Sequence, residues 1–259
     1  MKTRISLSEM ADHETILIYS KPKNGKTWSV VSIAESVLRA DENNNVFYIS
    51  TDNGLKRTAQ EYFGEEFEWF ANRITHYYLH DLERISDIVK EIKSKVKPND
   101  LIIIDLFSHI WEMCQQKFIE TASGGNIVGY LEQASRDAKK FGAFDSNKWM
   151  YIKKIDSIFI NELIIFPPCK VVGVCAEKSV EFDKMYNNKN VTNRYGIIGS
   201  KPAGQPELSY HFNTIVFIGE EENRKFFCVL GDRGSSKNIF EKHYYGKNFW
   251  EVFLKYRSK

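Results

Sequence analysis

Ser20-Lys21-Pro22-Lys23-Asn24-Gly25-Lys26-Thr27 follows the short apolar run Thr15–Tyr19 and opens a segment, Thr27–Leu38, with helical periodicity. The eight residues fit the pattern of a phosphate-binding loop, except that Ser20 stands where the first glycine belongs. A loop between a strand and a helix turns successive backbone N–H groups inward and makes a nest for anionic oxygens. The helix adds its unpaired N–H groups and the positive end of its dipole. Gly25 lets backbone approach a phosphate where a Cβ would collide. Lys26 supplies a point charge to the β- and γ-phosphates, and Thr27 offers a hydroxyl to magnesium. Val30, Val31, Ile33, Ala34, Val37 and Leu38 fall on one face of the helix. A Gly-Lys-Thr tripeptide alone is a weak signal. Strand, spacing and helix together assign Ser20 through Thr27 to nucleotide binding.

About 80 residues further on stands Leu101-Ile102-Ile103-Ile104-Asp105, four apolar residues and then an acid. Such a run suits a strand buried on both faces of a parallel sheet. Its carboxylate emerges at the C-terminal end, where it can hold magnesium through a water. An acid at a strand end is common; paired with the loop it makes Thr27 and Asp105 the expected metal ligands, and hydrolysis of ATP or GTP the leading activity.

The rest of the chain alternates strand and helix, the pattern of an α/β sheet with crossover helices. Val46–Ser50 reads as a strand after the turn-rich Asp41–Asn45, and Leu82–Val96 as a helix stopped by Pro98-Asn99-Asp100. Helical patterns lie near 127–141 and Lys148–Leu163, and Lys170–Cys175 is another buried strand. Thr214–Ile218 and Lys225–Leu230 flank the polar Gly219–Arg224 and predict a hairpin. With 259 residues, 42% hydrophobic and 27% charged, the chain can bury a large core. A net charge of +2 excludes a globally basic nucleic-acid binder, so any such contact is local. The four cysteines have no metal-ligand spacing, and Cys175 and Cys228 sit in apolar runs as buried thiols. No apolar run approaches the roughly 20 residues of a membrane span, and there is no signal peptide. A cytoplasmic location is expected, the host cytoplasm if the protein is viral.

These elements in this order resemble the RecA-like ATPases, and most nearly the compact phage-type RecA-like proteins that act in single-strand annealing and recombination. The resemblance runs from about residue 14 to 236 and is most specific at the phosphate loop. It implies an α/β, RecA-like P-loop core: a mainly parallel twisted sheet flanked by helices, closed by a C-terminal β-hairpin. The whole of 1–259 is then one ATPase domain, with 237–259 as a packing segment whose Phe249, Trp250, Val252, Phe253 and Tyr256 face inward. ATP and Mg2+ are the implied cofactors. In the family the second strand ends in an acid that orients the attacking water; Asp52 takes that place, one methylene shorter than the usual glutamate. Asp145-Ser146-Asn147-Lys148-Trp149 opening a helix, and Val171–Glu177, look like the tryptophan-led helix and sensor strand of the phage proteins. Val229-Leu230-Gly231-Asp232-Arg233-Gly234-Ser235 resembles the Lys-x-Arg-Gly ending of the clock ATPase KaiC and its relatives, where two cations reach a neighbour's γ-phosphate. Arg233 and Gly234 match, and Gly231 replaces the lysine. The catalytic set implied is Lys26, Asp52, Asp105 and Arg233, in a homo-oligomeric ring or filament.

RecA-like proteins bind single strands through loops after the strand that ends in the metal-holding acid, here Leu101–Asp105 (Walker B), and after the sensor strand. Thr121–Asn126 and Phe182–Gln205 stand there. The second interleaves cations and aromatics, as a groove that stacks bases and pairs phosphates requires, and makes Lys184, Lys189 and Arg194 the expected DNA contacts. The rival classes weigh less. AAA-type machines and packaging motors usually carry glutamate directly after the Walker B aspartate, and here Leu106 follows. GTPases need Asn-Lys-x-Asp, and Asn188-Lys189-Asn190-Val191 lacks the aspartate. An ATP-dependent factor acting on single-stranded DNA is the first functional reading; a nucleotide-gated viral packaging or assembly ATPase with a protein partner is the second, and a small-molecule kinase the third.

Overall fold

Continuous apolar runs become the central strands, and helices with one apolar face cover them. The computed structural model describes residues 13–126, 128, 129, 132, 136, 146–165, 167–233 and 240–258. Strand β1 (Thr15–Ser20) leads into α1 (Lys26–Ala40), then β2 (Val46–Ser50), α2 (Gly54–Phe63), α3 (Phe67–Ala71) and β3 (Ile74–Tyr78). After α4 (Ile85–Lys95) come β4 (Leu101–Asp105), α5 (Phe107–Ser123), α6 (Ser146–Ile160) and β5 (Lys170–Ser179). Short α7 (Glu181–Met185), α8 (Lys189–Tyr195) and β6 (Ser200–Pro202) precede the hairpin strands β7 (Thr214–Glu221) and β8 (Arg224–Asp232); β9 (His243–Tyr244) and α9 (Phe249–Arg257) follow. Among the described residues the sheet has the order β3-β2-β4-β5-β1-β7-β8-β9, with β6 beside β5. Every pairing from β3 to β7 is parallel, and β7–β8, β8–β9 and β5–β6 are antiparallel. The expected α/β architecture, a mainly parallel sheet with helices and a closing hairpin, is the one observed.

Two cores form because alternate residues of a strand face opposite ways. Leu17 and Tyr19 of β1 pack with the apolar stripes of α4, α5 and α6, while Ile16 and Ile18 pack with α1, α2 and α9. All six residues predicted for the α1 face are buried. Phe249, Trp250, Phe253 and Tyr256 of α9 are buried against the second core, as expected of a packing segment. Burying one such phenylalanine contributes about 2 kcal/mol, so α9 clamps α1, the helix that carries the phosphate loop. The four cysteines are free and buried. No described helix is long and apolar enough to cross a membrane.

Several boundaries differ from expectation. The hairpin turn is not Gly219–Arg224 but Glu222-Asn223, both with positive φ, the two-residue geometry that matches strand twist. The flanking polar residues stay in the ladder because Glu220 faces Lys225 and Glu221 faces Arg224, opposite charges that favour a solvated ribbon. Thr121–Ser123 form the last turn of α5, stopped by Gly124 in the left-handed region, so the expected loop shrinks to the glycines and Asn126. Phe182–Gln205 is likewise no open loop, since α7, α8 and β6 occupy much of it. The helix expected near 127–141 lies largely outside the described residues, as do Asp145, Gly234, Ser235 and the side chains of Trp149 and Lys184.

Asp156 on α6 is fully buried, and among the described residues neither of its carboxylate oxygens has a hydrogen-bond partner. Burial pushes its carboxyl up to about 7. A raised acid favours the folded state while protonated, below the unfolded value, and that contribution is lost as pH rises through about 7. At about 1.4 kcal/mol per unit the swing is on the order of 4 kcal/mol. Asp156→Asn is therefore expected to gain stability relative to the native chain as pH rises from about 4 to about 7, read from urea unfolding at each pH. Parallel stability curves for the two proteins would count against this assignment.

Candidate nucleotide site

Strands β1, β2, β4 and β5 run parallel and end along one edge, with Ser50 beside Asp105 and Ser20 beside Ala176. That edge is where an open α/β sheet binds ligands. Ser20 remains the last, extended residue of β1, so the freedom of the missing first glycine is not required there. Gly25 is different: its φ of 93° is left-handed, and a Cβ there would stand 2.9 Å from Cδ of Lys225. Only glycine meets both conditions. Lys21, Pro22 and Lys23 lie exposed on the loop's rim and Asn24 is half-buried.

Lys26 is buried, and its Nζ donates to Lys21 O at 2.8 Å, Ser20 O at 3.0 Å and Ser20 Oγ at 3.3 Å. These acceptors are neutral, so burial pulls the ammonium below the ordinary lysine range, against the attraction of Asp105. Thr27 Oγ1 donates to Asp105 Oδ2 at 3.1 Å, and Tyr48 OH donates to the same oxygen at 2.7 Å. Asp105 Oδ1 is buried without a partner among the described residues. Burial lifts the Asp105 carboxyl above its usual range, the Tyr48 hydrogen bond opposes this, and neighbouring Asp52 adds to it. An unsatisfied carboxylate oxygen beside a threonine hydroxyl and a lysine is a donor set that fits magnesium and a polyphosphate.

The structure brings Ser20, Gly25, Lys26, Thr27 and Asp105 together, with Asp52 at the same edge. Asp52 Oδ1 accepts from Gly54 N at 2.9 Å, which fixes the turn into α2. Glu177 on β5 also acts on Lys26 and accepts from Ser200 Oγ at 3.1 Å. Thr51 carries no signal in the sequence: its N donates to Asp105 O at 2.7 Å, and its Oγ1 accepts from Leu106 N at 2.9 Å. Tyr48 also escapes a sequence reading, although a tyrosine inside a buried strand demands a partner for its hydroxyl. Lys225 has no sequence signal beyond the hairpin.

Arg233 does not join this group. Asp232 pairs with Thr214, which pairs with Ile16 at the start of β1, so Arg233 sits at the sheet end opposite the phosphate loop. It is exposed and donates to Tyr210 O. Lys189 and Arg194 lie on α8 and Lys184 on α7, after the end of β5, and Tyr195 of α8 meets the Tyr19 ring of β1 at 6.2 Å between centroids. Arg194 lines a cleft of about 890 Å³ with Lys178, Lys201, Tyr195 and Tyr210, and Lys201 is paired with Asp183 at 2.6 Å.

The sequence model of the family described as AAA domain matches residues 12–258. This overturns the expectation drawn from Leu106: absence of an acid directly after Asp105 does not place the chain outside AAA-type proteins. Leu106 packs against the second core, leaving Asp52 and Glu177 as the acids at the edge. No curated protein sequence matches the chain. Among solved structures, the RadB recombinase superposes with a TM-score of 0.50 at 14% identity, over 91% of this chain and 88% of that one. A KaiC-like protein from Pyrococcus horikoshii OT3 does so with a TM-score of 0.51 at 13% identity, over 91% and 87%. At such identities the likeness is one of fold.

Proposed function

The chain belongs to the AAA domain family and is a P-loop ATPase, and from that premise we propose that it uses Mg2+-dependent ATP hydrolysis to act on single-stranded DNA in recombination, annealing or repair, as a homo-oligomer. The reading takes 1–259 as one RecA-like ATPase domain. Backbone from Ser20 to Thr27 would cradle the phosphates, with Lys26 against the terminal ones, and Thr27 and Asp105 would hold the metal. Magnesium, when bound, neutralises charge on the phosphate oxygens. Asp52 orients the attacking water, with Glu177 the other acid in reach of the same edge.

The observation that carries the DNA part is the end of β5. Glu177 lies near enough to favour the charged form of Lys26, while the next residue, Lys178, lines the cleft with Arg194, Tyr195 and Tyr210. Ser200 ties the two together, since its Oγ donates to Glu177 and its O accepts from Tyr19 OH at 3.0 Å. On this reading one short strand pair borders the nucleotide edge and also a cleft with cations and the exposed Tyr210, the chemistry that stacks bases and pairs phosphates. RadB, which shares the fold, is by its name a recombinase.

The test is ATP turnover with and without single-stranded DNA, and the salt dependence of DNA binding. DNA is expected to stimulate turnover. Removing charge at Lys184, Lys189 and Arg194 is expected to flatten the log–log salt slope by about 0.7 per lost phosphate contact. An unaltered slope would show that DNA is bound elsewhere, and absence of binding by the native protein would exclude DNA as the partner.

A further inference from the structure

Asp105 ends β4 level with Ser50 of β2, and Tyr48, level with Ile103, stands two residues earlier on the same face. Tyr48 and Asp105 are thus diagonal neighbours across two strands, a gap that a long aromatic side chain spans. The Tyr48 hydroxyl donates to Asp105 Oδ2 at 2.7 Å. We propose that Tyr48 is the positioning residue of the metal site: by occupying Oδ2 it leaves Oδ1 as the oxygen offered to magnesium, and so sets how strongly Mg2+ supports nucleotide binding. This role rests on the reading of Thr27 and Asp105 as the metal holders, to which it adds the residue that orients them.

An ionised carboxylate has about four acceptor sites, two on each oxygen. Both sites of Oδ2 are used, one by Tyr48 and one by Thr27 Oγ1 at 3.1 Å. Oδ1 is buried, and among the described residues it has no partner. The torsion that swings a carboxylate is broad and two-fold, so with the Thr27 bond alone the two oxygens could exchange. The Tyr48 bond is the shorter of the two and of the charge-assisted kind; it fixes which oxygen stays free. A donor also draws charge from the carboxylate, which taken alone weakens its hold on a cation. Orientation outweighs that effect, because losing such an outer hydrogen bond typically costs about 10- to 100-fold in metal affinity or activity.

Tyr48 is itself held in place. It is fully buried in the core beneath α1 and α2, where a tyrosine hydroxyl needs a partner. His76 of β3 is its register partner on the other side, with ring centroids 6.0 Å apart and an edge-on angle of 70°. Nε2 of His76 in turn meets Ser50 Oγ at 2.7 Å. His76, Tyr48 and Asp105 therefore form a row across β3, β2 and β4, on the face that α1 covers, and Thr27 of α1 arrives on the same carboxylate oxygen. The row leaves the tyrosine little room to turn away, and a donor already in place costs no ordering when the metal arrives.

Calorimetry on the full chain measures ATP affinity twice, with excess Mg2+ and with EDTA, and the ratio of the two is the gain that magnesium supplies. Tyr48→Phe keeps the ring and removes only the hydroxyl. It is expected to lower that ratio by about tenfold or more and to leave the EDTA affinity unchanged. A residue that merely packs would move both affinities alike, and the change would cancel in the ratio. If Tyr48→Phe fails to fold, His76→Ala on the exposed edge strand takes its place, with a smaller loss of the same ratio expected. A ratio that stays at the native value in the folded variant, whether both affinities hold or fall together, overturns the role of Tyr48 while Thr27 and Asp105 keep the metal. A native chain whose ATP binding gains nothing from Mg2+ overturns the metal reading, and the role of Tyr48 with it.

Discussion

Lys26→Ala is expected to leave a folded protein whose ATP turnover falls by at least roughly 10²-fold, the cost of losing one preorganised group aimed at developing charge. Lys26 is a buried cation that donates to two backbone carbonyls and a serine hydroxyl, and burial already disfavours its charged form. A charge kept under those conditions adds nothing to the fold and waits for an anion, so thermal stability without nucleotide should be unchanged or higher in the alanine variant. Asp105→Asn should abolish Mg2+-dependent turnover for the complementary reason, since Oδ1 has no partner to lose among the described residues. Asp52→Asn should still bind ATP but cleave it slowly, because an amide cannot act as a base. Normal turnover in Asp52→Asn would transfer that role to Glu177, whose glutamine variant would then be the slow one. Normal turnover in a folded Lys26→Ala would remove the phosphate-loop assignment altogether.

How much of the molecule is legible in its sequence follows from which residues are constrained locally. The phosphate loop, α1 and β4 are readable because strand, glycine, lysine and apolar periodicity are short-range features, each with its own physical reason. β3 escapes because Ile74-Thr75-His76-Tyr77-Tyr78 is an edge strand only half buried, without the continuous run that marks β1 and β4. The hairpin turn reads too wide because the charged pairs Glu220–Lys225 and Glu221–Arg224 look like loop until their cross-strand register is known. Lys225 over Gly25, Thr51 under Asp105 and Tyr48 on its carboxylate are contacts between residues far apart in the chain. No spacing rule reaches them. Arg233 is legible as a motif but not as a position, since only the register of β8 shows which end of the sheet it occupies.

That position sharpens the largest expected effect on assembly. β1 spans six residues, about 20 Å at the usual rise per strand residue, and Arg233 stands at its start while the phosphate loop stands at its end. The guanidinium cannot reach the phosphates of its own chain. If it serves catalysis, it serves a neighbour, neutralising charge on the γ-phosphoryl group as such arginines do, for about 10³ to 10⁵ in rate. Gly231 in place of a second cation puts the expected gain at the low end of that range. Turnover per subunit should then rise with protein concentration, and Arg233→Ala should erase the rise while nucleotide still binds. The decisive measurement mixes Arg233→Ala with Lys26→Ala. Each is inactive alone, but a mixed interface sets the intact phosphate loop of one subunit against the intact Arg233 of the other. Activity that returns on mixing establishes action between subunits. If mixed oligomers form and remain inactive, Arg233 has no part in hydrolysis, because its place in the fold leaves no route within its own subunit.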